Sequence, residues 1–338
     1  MNAGDFGRLL SRALESRAPL LERLRAEGTD CYRLFHGIAE GLTGLTVDRY
    51  GPLLLAQTFR DPLPPSDTAA LEEALRALLP GGLHFAYNHR GKRPAEPFDK
   101  WHRPAPAALA EFTCSEGGIK YLVRARHRGI DPWLFLDLRP GRRLLRAAAE
   151  GRAVLNLFAY TCGAGVCAAA GGASEVWNVD FAGSSLEVGR RNAALNGIPE
   201  GKFRTVQEDC LTVVRQLAGL DVKGRFGKKR RYERVESRRF GLVFLDPPAW
   251  AKGPLAAVDI VRDYPALLKP ALLALEPGGR VIATNHAPGV SWEDWEAVLR
   301  RCADKAGRPL KTVERADPEG DFPSFDGNPP LKIAVCGL

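Results

Sequence analysis

The sequence of 338 residues predicts an α/β fold: a doubly wound parallel sheet with a small α/β domain ahead of it. Three observations carry this. From about residue 142, short apolar runs alternate with helical stretches. One apolar run, 154–157, opens into a turn of small residues at 158–165. Another, 242–245, stops at Asp246–Pro247–Pro248.

The elements follow in order. Residues 1–27 predict a helix, because Leu9, Leu10, Ala13, Leu14, Leu20, Leu21 and Leu24 recur at three-to-four spacing among charges. Residues 32–35 read as a strand and 41–44 as a turn. The runs 45–48 and 53–56 flank Tyr50–Gly51–Pro52 as paired strands. Residues 68–79 form an amphipathic helix, and 90–106, rich in Pro, Lys and Arg, a linker. Residues 112–114 and 119–123 flank Glu116–Gly117–Gly118, a hairpin signal. Strands are then expected at 153–157, 175–179, 203–206, 242–245 and 280–284. Helices are expected at 163–170, 184–196, 210–217, 258–273 and 292–306. Such connections require a parallel sheet with helices on both faces. Two short strands, 311–314 and 331–335, close the chain. The expected domains are a helix at 1–30, a small α/β domain at 31–106 and a larger domain at 107–338. The last contains a lead-in hairpin at 110–125 and a basic insert at 223–239.

Apolar residues make up 45% and charged residues 26%, which excludes wholesale disorder. No run approaches the roughly 18 apolar residues of a membrane helix, and the N-terminus lacks a secretory pattern. The seven cysteines are odd in number and include no CxxC pair. That argues against a disulfide framework and a structural zinc site, and a reducing cytoplasm is expected. His84, His89, His102 and His127 show no metal-like spacing, and no metal is expected. The net charge is +8, but residues 223–239 alone hold nine basic and two acidic residues. A near-neutral body with one basic segment points to a polyanion partner, or to a solvated loop.

Two motifs carry chemistry. At 154–165 a buried strand enters a glycine-containing turn and a helix, where backbone can approach a ligand and N–H groups face it. The next strand ends at Asp180, the kind of acid that holds a ribose diol. The GxGxxG spacing is incomplete, since position 168 is Ala, and the same turn would serve tight helix–strand packing. In the second motif the prolines stop helical continuation and pin Asp246 at the carboxyl edge of the sheet. Open α/β sheets bind ligands at that edge.

Together these motifs, with Asp209 after the third strand, resemble the class I S-adenosylmethionine-dependent methyltransferases. Residues 154–172 and 176–198 resemble the bacterial large-subunit ribosomal RNA methyltransferases of the RlmI and RlmK-like type. So do Tyr32–Arg33–Leu34, residues 41–51, the hairpin at 112–123 and Phe135–Leu136–Asp137–Leu138–Arg139. The resemblance implies a Rossmann-like doubly wound sheet with an antiparallel C-terminal strand. The sequence departs from the family in four places, one being the basic insert at 223–239, longer than the usual linker. Only a helix precedes Tyr32, where the family often has an RNA-binding PUA domain. Leu138 replaces a glutamine, and Asn285–His286–Ala287 stands where RlmI-like members carry a Cys-Ser pair.

The resemblance implies S-adenosylmethionine as cofactor, with Arg139, Asn156, Phe158, Gly163, Gly165, Asp180, Asp209 and Asp246 around it. It implies RNA, most simply ribosomal RNA, as partner; the small domain is a candidate contact, and the charge of the insert, with Lys228, Lys229, Arg230 and Arg231, makes it another. A homodimer is left open. Pro247, Pro248 and Trp250 are candidates for holding the base, Trp250 or Tyr264 by stacking. The implied target is cytosine carbon-5, with Cys336 as the thiol that adds to carbon-6. A buried packing role is the alternative for Cys336. His286 is a candidate base or substrate contact. Methylation of an exocyclic amine, a nicotinamide-dependent oxidoreductase and a non-catalytic RNA binder are the competing functions.

Overall fold

The computed structural model describes residues 1–91, 105–222, 232–248, 250–252, 257–259 and 263–338. They form two compact units, 1–136 with 319–323, and 137–318 with 324–338.

In the first unit, helix α1 (Ala3–Ala26) starts at a capping box formed by Asn2 and Asp5. Its apolar stripe of Phe6, Leu10, Ala13, Leu21 and Leu24 is buried together with Leu71 and Leu75 of α2 (Pro65–Leu78). They share a core with residues of a four-stranded sheet ordered β1 (Cys31–Phe35), β2 (Leu45–Tyr50), β3 (Leu53–Thr58), β4 (His84–His89). The first three strands pair antiparallel, while β4 lies parallel to β3. The sequence pattern misses β4, because its inward residues include polar ones: Asn88 is fully buried and donates to the Ala125 carbonyl at 2.6 Å. A short helix, α3 (Pro106–Leu109), precedes the hairpin β5 (Phe112–Glu116) and β6 (Ile119–Val123). The sequence places this hairpin as a lead-in to the larger domain, yet it belongs to the first unit. The Ser115 and Gly117 amides donate to the side chains of Asp30 and Thr29 at 2.7 and 2.8 Å. Gly51, at φ +58°, comes so close to the Thr113 carbonyl that a Cβ would sit 2.4 Å from that oxygen.

The second unit holds a seven-stranded sheet. Its elements are α4 (Arg139–Ala148), β7 (Ala153–Leu157), α5 (Gly163–Ala170), β8 (Glu175–Asp180), α6 (Gly183–Leu195), β9 (Phe203–Gln207) and α7 (Cys210–Leu217). Then come β10 (Phe240–Leu245), β11 (Trp250–Lys252), β12 (Ala257–Asp259), α8 (Tyr264–Leu273), β13 (Leu275–Asn285), α9 (Trp292–Lys305), β14 (Thr312–Ala316) and β15 (Lys332–Gly337). The spatial order is β14-β15-β13-β10-β7-β8-β9. Strands β7, β8, β9, β10 and β13 are parallel, and β15 runs antiparallel between β13 and β14.

One expected helix is corrected. Residues 257–259 form β12, antiparallel to β11, and the helix begins only at Tyr264. Pro265 in the first turn fits this start: it lacks the N–H that a residue deeper inside a helix would bond backward, so the helix cannot begin much earlier.

Candidate active site

The turn between β7 and α5 is unusual backbone. Phe158, Tyr160 and Cys162 have φ of +59°, +49° and +58°. Each such residue costs about 1–3 kcal/mol unless its surroundings hold it. They do so here. The Tyr160 amide donates to Asp180 Oδ2 at 2.8 Å, and the Phe158 amide to Cys210 Sγ at 3.1 Å. Helix α6 also closes on the turn at Gly189, where a Cβ would lie 2.3 Å from Cys162 Sγ. Gly163 begins α5 and is half-buried.

Two residues expected to line a cofactor are packing residues instead. Asn156 is 1% exposed and donates from Nδ2 to Asn178 Oδ1 at 2.9 Å. A Cβ on Gly165 would sit 1.8 Å from that same Oδ1. Gly165 therefore admits a neighbouring strand's side chain, and its lack of a Cβ serves helix–strand contact. Arg139, at the start of α4, is likewise wholly buried.

The carboxyl ends of the parallel strands gather the remaining candidates. Asp180 ends β8 with 7% exposure, its two carboxylate oxygens accepting the Ala182 and Tyr160 amides at 2.8 Å each. Burial raises its pKa against the pull of its backbone hydrogen bonds. The next residue, Phe181, is 51% exposed, an aromatic face that sequence reasoning misses. After β9, Asp209 caps α7 by accepting from the Thr212 amide at 2.9 Å. Buried Glu208 accepts from the Asp209 amide and, at 3.1 Å, from the Glu233 amide. Residues 233–238 are pinned along α7 by bonds to Gln216 and Leu217. Lys228, Lys229, Arg230 and Arg231 lie outside the described residues, as does the side chain of Trp250.

After β10 comes Asp246, with buried Pro247 and exposed Pro248 behind it. Its Oδ1 accepts from Thr284 Oγ1 and lies 2.8 Å from His286 Nε2. Thr284 and His286 are two apart at the end of β13, so both reach the same acceptor. Tyr264 anchors the strand by donating to the Thr284 carbonyl at 3.0 Å. A carboxylate can only accept, so Nε2 of His286 carries a hydrogen and Nδ1 remains the acceptor once the ring is neutral. Among the described residues, Asp246 Oδ2 accepts no hydrogen bond. The side chains of His286 and Asp246 are 33% and 19% exposed. Burial alone would lower the His286 pKa. The hydrogen bond and charge of Asp246, helped by Asp137, outweigh burial and the opposing charge of Lys332, so the net shift is upward.

Cys336 is corrected. It is fully buried in the sheet, paired with Val281 on one side and Val313 on the other, while Asp246 follows the Leu245–Ala283 pair. Burial pushes its thiol up to about 12, so the thiolate that attack requires is disfavoured. The other six cysteines are also buried.

Parallel strands bearing Asp180, Asp209, Asp246 and His286 at their carboxyl ends, with an antiparallel strand slotted before the edge, define a class I methyltransferase fold. The chain belongs to the S-adenosylmethionine-dependent methyltransferase family, whose sequence model matches residues 32–336. Ribosomal RNA large subunit methyltransferase I of Aeromonas hydrophila is 30% identical over 332 residues, covering 94% of this chain and 76% of that protein. Ribosomal RNA large subunit methyltransferase K/L of Chromohalobacter salexigens is 31% identical over 294 residues, covering 83% of this chain but 37% of that protein. A methyltransferase solved with SAH matches with a TM-score of 0.78 at 22% identity, covering 100% of this chain and 82% of that one. At that identity the likeness speaks for the fold.

The edge residues fit an adenosine. Asp180 keeps lone pairs for a diol beyond the backbone bonds it accepts, and Phe181 presents an exposed ring beside it. Among the described residues no group of three His, Cys, Asp or Glu could hold a metal, and no helix is long and apolar enough to cross a membrane.

Proposed function

We propose that this enzyme methylates an exocyclic amine of a base in large-subunit ribosomal RNA. The names of its relatives support the RNA class. The atom is argued from Asp246, whose Oδ1 is held by Thr284 and His286 while Oδ2 has no protein donor among the described residues. Methylation of cytosine carbon-5, which the family resemblance implies, needs a thiol that can reach carbon-6. The burial of all seven cysteines argues against it.

S-Adenosylmethionine, when bound, supplies an electrophilic methyl group and departs as a neutral thioether. Asp180 would hold its ribose diol, Phe181 and Asp209 its adenine, and the 158–163 turn its amino-acid end. Asp246 Oδ2 would accept a hydrogen bond from the target amine and fix its lone pair toward the methyl group. As the nitrogen–carbon bond forms, the nitrogen sheds a proton, and His286 would take it as base. The basic insert, 223–239, would neutralise RNA phosphates. Within it, the Glu233 amide is tied to Glu208, the residue before Asp209.

The test is methyl transfer from labelled cofactor to deproteinised large-subunit ribosomal RNA, with the product nucleoside identified by mass spectrometry. An amine-methylated nucleoside, lost in Asp246→Asn and reduced in His286→Gln, is expected. 5-Methylcytidine as the product would refute the choice of atom, and absence of transfer to any ribosomal RNA would refute the substrate.

A further inference from the structure

Lys332 begins β15 and pairs across the sheet with Asn285. It is 2% exposed. Nζ donates to the carbonyls of Ala287 and Pro329, both at 3.2 Å. Neither partner carries a charge, and no carboxylate lies within ion-pair distance among the described residues. An ammonium taken out of water with only neutral acceptors is expensive to keep. An apolar side chain would fill the same space but leave both carbonyls without this donor.

The Ala287 carbonyl is the informative partner. Asn285 Oδ1 accepts from the Ala287 amide at 2.8 Å, and Lys332 Nζ donates to the Ala287 carbonyl. The turn is thus gripped on both sides of the residue that follows His286. With it fixed, His286 Nε2 meets Asp246 Oδ1 at 2.8 Å.

We infer that Lys332 is a positioning residue for His286: by holding the Ala287 carbonyl it keeps the imidazole's turn against Asp246. The inference rests on the reading of His286 as the base. The charged groups acting on that ring are Asp246 and Asp137, which favour the imidazolium, and Lys332, which opposes it. Arg315 and Asp326 act in turn on Lys332. Two carboxylates unopposed would leave His286 protonated, and so unable to accept, further toward neutral pH. Burial of the ring is the larger opposition to the imidazolium, and the buried ammonium adds to it.

The test is a pH titration of His286 by NMR in the full-length protein labelled at its six histidines, with His286→Gln assigning the signal. Lys332→Met is expected to raise the His286 midpoint, because it removes a charge that opposes the imidazolium. Lys332→Gln, which keeps a donor but no charge, is expected to raise it similarly, and stands in if the Met variant does not fold. Lys332→Arg is expected to leave the midpoint at the wild-type value. An unmoved midpoint in the neutral variants, or an equal rise in Lys332→Arg, overturns the inference. The titration needs no RNA, so its outcome is separate from that of the methyl-transfer experiment.

Discussion

Substituting Gly165 by Ala isolates what the glycine turn is for. The new Cβ would meet Asn178 Oδ1 at 1.8 Å, Cγ at 2.8 Å and Nδ2 at 3.1 Å, so the Asn178 amide must leave its place. That amide accepts from Asn156 Nδ2 at 2.9 Å and donates to the Arg204 carbonyl at 3.2 Å. Leaving buried partners unmet costs about 1–3 kcal/mol each, or roughly 2–6 kcal/mol for the two. Alanine in a helix returns about 1 kcal/mol over glycine. The net expectation is a destabilisation of about 3 kcal/mol, read as a lowered denaturant midpoint with unchanged slope. In an Asn178→Ala background the clash is gone, so the added cost of Gly165→Ala should nearly vanish, a large coupling in a double-mutant cycle. If Gly165→Ala instead leaves stability intact and weakens S-adenosylmethionine binding, the glycine faces the cofactor and the packing role is wrong.

Three further outcomes are expected. Cys336→Ala should retain methyl transfer while lowering stability by about 1 kcal/mol, as for a small buried side chain; abolished turnover at full stability would restore the thiol to the mechanism. In the first unit, His36 is held neutral, its pKa lowered to about 4 by burial and by the neighbouring Arg33, whose Nη1 lies 3.2 Å from Nδ1. The unfolded chain then binds the extra proton between its ordinary 6.5 and about 4, so stability falls on acidification through that window. His36→Gln should flatten that slope of melting temperature against pH, and an equally steep slope in the variant would assign it elsewhere. Replacing the nine basic residues of 223–239 by Ser or Gln should weaken RNA binding and leave cofactor affinity unchanged. The salt slope of binding should fall by about 0.7 for each phosphate that is no longer neutralised. RNA affinity and slope equal to wild type would make the insert a bystander.

Much of the second unit is legible in the sequence. Helices α5 and α7 fall on their expected residues, and β7 does as well. Apolar runs of strand length, punctuated by glycine and proline, report burial and chain reversal, which are local properties. The same reasoning places Asp180 and Asp246 at strand ends, because a polar residue ending a buried run can only lie at the sheet's edge. What local pattern could not decide was which way a residue faces. Gly165 and Asn156 satisfy a ligand-binding turn and a packing turn equally well, and only the register of Asn156 with Asn178 shows the latter. Cys336 has a strand's context in either role, and only β14 on its far side makes it interior. The residues that hold Asp246 come from positions 38 and 40 further along the chain, and Lys332 grips Ala287 across 45 residues. Such contacts leave no periodic trace in the sequence, because each is set by how two distant strands lie side by side.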